Sequence, residues 1–143
     1  MAHNVIDDSP WFENIIQQTS IGWALQLGPA AVDQLSLNEG FVIHLDNGIN
    51  VVLANSFKLR KNAKMLPVYL EELLDETAVT SQLIRQPVRR AFSTSAGTLE
   101  ITFGSGAVEE LTLVVRSPNW RIKFPNASTC YGLREGGIGM LPP

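Results

Sequence analysis

The chain has 143 residues, 45% of them hydrophobic and 17% charged, with a formal net charge of −3. That length suits one domain with one core, and the apolar share excludes a disordered chain. The slight negative balance gives no electrostatic case for a nucleic-acid partner, and no apolar run approaches the roughly 20 residues that a membrane-crossing helix needs.

Residues 1–8 read as a loose tail. Ser9-Pro10 then has the chemistry of a helix start, a side-chain cap followed by a proline in the first turn. A short N-terminal helix over 11–18 is expected, with Trp11 and Ile15 turned inward. Trp23, Leu25 and Leu27 alternate, which predicts a strand over 21–27 closed by Gly28-Pro29. Residues 31–37 alternate imperfectly and read as a strand leading through a turn at 38–40 into the clearest signal of the chain.

That signal is Asn47-Gly48 between two β-rich runs. A two-residue loop would place Asn50 on the face of Phe41, Ile43 and Leu45. A three-residue loop, Asp46-Asn47-Gly48, pairs Leu45 with Ile49, Ile43 with Val51 and Phe41 with Leu53, gathering six apolar side chains on one face. A one-residue slip exchanges the faces, so the apolar match selects the longer loop, with Gly48 at positive φ.

Ser56 to Leu59 continues a sheet edge, and Lys58, Arg60, Lys61 and Lys64 read as a basic loop. Over 66–83, Leu66, Leu70, Leu73, Leu74 and Thr77 fall at helical spacing, with Pro67 suited to a first turn, so the main helix is expected there. Residues 88–115 read as a three-stranded meander with a bulge at Glu109-Glu110. Trp120, Ile122 and Phe124 mark a further strand, and 138–141 a last short one. The expected fold is α+β, one domain over 1–143. It is a mostly antiparallel sheet of about six to eight strands, with the main helix packed on one face and the short N-terminal helix at an edge.

The residues that could carry chemistry are few. His44 lies on the polar face of the hairpin, and the ligand set of a zinc site is missing, so no metal and no cofactor are expected. Cys130 is the sole thiol; it cannot form an internal disulfide, and as a nucleophile it would need His44 as its base. One cysteine and an N-terminus without a signal-peptide pattern suggest a cytoplasmic protein. The glycines from Gly132 to Gly139 lack the following helix of a phosphate cradle and read as a turn. Glu71, Glu72, Asp75 and Glu76 crowd the outer side of the main helix. Such a run is commonly a solvated face; read more sharply, it is an acidic patch that captures a basic partner.

From Phe41 onward the order of motifs resembles a family of small uncharacterised bacterial proteins. The matching pieces are the hairpin from Ile43 to Leu53, Ser56-Phe57-Lys58-Leu59, the strand from Gly97 to Gly106, the Trp120 segment and the Gly-rich end. Such small α+β proteins look similar to immunity proteins of bacterial toxin systems, which neutralise a cognate toxin by binding it. The resemblance implies a non-enzymatic binding protein with no catalytic residues to transfer, a cognate toxin protein as partner, and neither nucleic acid nor membrane. Glu71, Glu72, Asp75 and Glu76 are then the expected contacts. The alternative is a homo-oligomeric accessory domain, such as a homodimer, meeting its copy through a sheet edge or exposed tryptophans. A third reading, a small enzyme, requires a pocket that gathers His44, Cys130 or several carboxylates.

Overall fold

The structure is a computed structural model, and it describes residues 16–37, 40–62, 64–69, 81–104 and 110–143. Thirteen strands run through them: β1 (Ile16–Thr19), β2 (Gly22–Leu25), β3 (Val32–Leu37), β4 (Phe41–Leu45), β5 (Asn50–Leu53), β6 (Phe57–Lys61), β7 (Lys64–Val68), β8 (Val88–Thr94), β9 (Leu99–Phe103), β10 (Leu111–Val115), β11 (Trp120–Lys123), β12 (Thr129–Gly132) and β13 (Ile138–Leu141). Seven form a first sheet in the order β1-β2-β8-β9-β10-β6-β7. Six form a second in the order β13-β12-β11-β5-β4-β3. Every neighbouring pair is antiparallel.

The β4–β5 hairpin adopts the three-residue loop. Phe41 pairs with Leu53 and Ile43 with Val51, Leu45 N–H donates to the Ile49 carbonyl at 2.9 Å, and Gly48 has φ +89°. The loop's side chains also serve the neighbouring connection. Asp46 Oδ1 accepts from the Ala31 N–H at 3.1 Å, and Asn47 Nδ2 donates to the Leu27 carbonyl at 2.7 Å. The turn that sets the register is thereby tied to the connection between β2 and β3.

Alternation sends one face of each sheet into a shared core. Phe41, Ile43, Val51, Leu53 and Ile122 from the second sheet and Leu59, Leu99, Ile101, Phe103 and Leu113 from the first are at most 1% exposed and belong to one continuous apolar cluster. Phe41 and Phe57 stack across the two sheets, with ring centroids 5.4 Å apart and 13° between planes. Trp120 adds a polar tie, its Nε1 donating at 2.7 Å to the Gly97 carbonyl in the β8–β9 turn. A fully buried side chain of this size contributes ~1.5–3 kcal/mol, so cover from the opposite sheet is what makes both stable.

Several expectations are corrected here. The fold is not α+β: among the described residues there is no α-helix, and a second sheet, not a helix, covers the first. The predicted start of the main helix, Leu66 and Pro67, lies in β7, which pairs with β6 from Lys61–Lys64 to Phe57–Val68. β7 ends its sheet, and an edge strand tolerates a proline because the missing N–H can face outward. Residues 81–83 form a single 3-10 turn, Ser81–Leu83; the stretch 70–80 lies outside the described residues. Likewise Ile16 to Thr19 is strand β1, paired with β2, and not the end of an N-terminal helix; 11–15 lie outside. Lys58, Arg60, Lys61 and Lys64 sit within the β6–β7 hairpin and not in a loop. The meander β8-β9-β10 forms as expected, with a register shift between Val88 and Arg90; the bulge expected at Glu109-Glu110 falls on Glu109, which lies outside the described residues, and the register is regular from Leu111. Strand β12 was missed, being four residues among turn formers.

Candidate functional site

The outer face of the second sheet carries a concavity. Val52 on β5 stands opposite Arg121 on β11, which stands opposite Tyr131 on β12. Alternation places all three outward, because Val51, Ile122 and Cys130 point into the core. Together with Ala54, Thr129 and Leu141 they line a groove of about 480 Å³, a size typical of ligand sites. Arg134 and Glu135, from the β12–β13 turn, also line it. The tyrosine lies flat on β13: a Cβ added at Gly139 would stand 2.5 Å from Tyr131 Cζ. Glycine there lets the ring become part of the groove wall. Leu141 is 54% exposed beside it. The lining is largely apolar or aromatic, with Arg121 between Val52 and Tyr131 and with Arg134 and Glu135 from the turn, an arrangement that can seat an apolar group and orient it through Arg121, Arg134 or Glu135.

One strand further along the same face, His44 is held between two partners. Its Nδ1 donates to Asn50 Oδ1 at 2.9 Å, and Ser36 Oγ donates to Nε2 at 2.8 Å. Asn50 Oδ1 can only accept, which selects the Nδ1–H tautomer. Both ring nitrogens are engaged in bracing β3, β4 and β5. Cys130 points the other way, fully buried in the core, and burial pushes its thiol far above the ordinary range. The two residues lie on opposite faces of the sheet, with β5 and β11 between their strands, so the structure does not bring them together. Among the described residues no group of three His, Cys, Asp or Glu side chains is placed to hold a metal ion.

The expected contacts Glu71, Glu72, Asp75 and Glu76 lie outside the described residues. Trp23 and Trp120, candidates for a homodimer contact, are 6% and 2% exposed and belong to the core. The run of glycines after Gly132 does form a turn, with Gly136 and Gly137 at positive φ. The groove itself was missed by sequence reasoning. Part of its signal was present: the alternation of Trp120, Arg121, Ile122 and Lys123 puts an arginine on the face of Val52, but without β12 there was no opposite wall.

Among the described residues no helix is long and apolar enough to cross a membrane. No curated protein matches the chain, and no solved structure does. A family model covers 23–141, from the core tryptophan of β2 to the exposed leucine that ends β13, and the chain belongs to that family, the family of unknown function DUF6188.

Proposed function

We propose that the chain is a non-enzymatic binding protein of the immunity type, which occludes a cognate toxin protein by seating part of it in the groove over β5, β11, β12 and β13. The observation that carries this reading is the groove's construction. Its lining is largely apolar and stands on a hydrogen-bonded sheet, with Arg121 on its floor between Val52 and Tyr131 and with Arg134 and Glu135 from the β12–β13 turn. Recognition surfaces between proteins combine such apolar area with a few charged groups, arginine prominent among them, that fix register. A preformed sheet also loses little conformational freedom when a partner arrives. The residues best suited to covalent chemistry favour the same reading, since Cys130 is enclosed and His44 is spent on bracing the sheet.

The test is a calorimetric titration of the full chain against the product of the neighbouring gene, alongside co-expression to read whether the chain relieves growth arrest. Val52→Glu and Leu141→Glu place a carboxylate in the groove, and each is expected to weaken binding at least about tenfold. Joint charge reversal of Glu71, Glu72, Asp75 and Glu76 asks in the same assay whether those residues are contacts. Unchanged affinity in both groove variants, with folded spectra, would sink the groove as the contact surface. A chain that neither binds that product nor relieves arrest would sink the immunity reading. A stable homodimer that dissociates on Leu141→Glu would support the accessory-domain alternative.

A further inference from the structure

The outer face of the first sheet has a second concavity, of about 350 Å³, at β6, β7 and the end of β10. Lys58 and Arg116 line it together with Met65, Pro67, Tyr69 and Val114. Lys58 stands opposite Pro67 and Val114 in the cross-strand register. The next residue along that row, Glu100, is held by Arg60 at 3.6 Å. Among the described residues Lys58 and Arg116 have no ion-pair partner, and no acid lines the cleft. Met65 and Tyr69 are 45% and 42% exposed, so apolar surface lies beside these two cations.

We infer that this cleft docks an acidic segment of a protein partner, with a carboxylate on Lys58 and Arg116 and an apolar side chain against Met65, Pro67 and Tyr69. Charge complementarity supports an anion, and the exposed apolar wall favours a polypeptide over a nucleic acid. A nucleic acid draws its affinity from many phosphate contacts along a continuous strip, whereas this cleft offers two cations, Lys58 and Arg116. A short acidic segment needs attraction only over about 8 Å, the screening length at physiological salt. The site is on the opposite outer face from the groove and does not depend on it.

The experiment is an amide-shift titration of the isotopically labelled full chain with three probes: the capped peptide Glu-Phe-Glu-Leu-Glu, its Lys-Phe-Lys-Leu-Lys counterpart, and an oligothymidylate of equal charge to the first. The acidic peptide is expected to shift Lys58, Met65, Tyr69, Val114 and Arg116 saturably. The double variant K58E/R116E is expected to lose at least about tenfold in affinity for it and to gain binding of the basic peptide. That exchange of preference also shows that the variant is folded. The inference is overturned if the acidic peptide shifts other faces or fails to saturate by about 10 mM. It is equally overturned if the basic peptide binds the parent chain as well, or if the oligothymidylate binds the same amides more tightly.

Discussion

Cys130 sits in β12 between Ile122 and Met140 of the neighbouring strands, with no exposed surface. Removing its proton would leave a charge in an apolar core, so burial raises its pKa well above the ordinary 9.0. The consequence for stability has a definite sign. Below pH 9 both the folded and unfolded chains hold the proton and the group contributes no pH dependence. Above it, the unfolded chain loses the proton while the folded chain keeps it, so stability falls as pH rises, by about 1.4 kcal/mol per unit. Urea titrations at pH 8, 9 and 10 on the parent chain and Cys130→Ala should show a decline in the first that the second lacks. An equal decline in both would mean that other groups produce it. His44 had read from the sequence as a residue on the polar face, and it is there; the bracing by Ser36 and Asn50 depends on the β3–β4 pairing and was not legible locally.

Thr102 and Thr112 show what the β9–β10 pairing adds beyond its apolar face. They stand opposite each other on the outward side, 2% and 6% exposed, with their hydroxyls 3.0 Å apart. Replacing one by Val strands the other hydroxyl and is expected to cost about 1–2 kcal/mol; replacing both should recover most of that loss. A double-mutant cycle by urea denaturation reads the difference, and strictly additive losses would refute the coupling. The hairpins β4–β5 and β8–β9 were readable because loop residues and alternation agree there. In β7 they conflict. Leu66 opens a helically spaced series, yet Lys64 to Val68 pair with β6, and there the ladder bonds to an adjacent strand outweigh the periodicity that local spacing alone suggests. The same limit applied to the architecture. Alternating strands announce that one face must be covered, but whether a helix or another sheet covers it depends on contacts far apart in the chain.

The two sheets share one core, and the chain passes between them at β2 to β3, β5 to β6 and β10 to β11. Trp23 belongs to the first sheet and Trp120 to the second, so each tryptophan can report on its own sheet. In a Trp11→Phe background, adding Trp23→Phe or Trp120→Phe leaves a probe in the other. Their denaturant transitions are expected to coincide, as a single cooperative unit requires; separated midpoints would mean that the sheets melt independently.

The interleaved strand order also bears on how the polypeptide acquires its shape during synthesis. Trp23 must wait for Ser93, and Val51 for Ile122, before either finds its neighbour. A ribosome would release most of β1 to β7 before the central ladders could close, and such distant pairings are slow to nucleate. Local hairpins such as the one at Asn47-Gly48, whose Phe41 and Leu53 close within thirteen residues, are able to form ahead of the rest and hold the growing end in register.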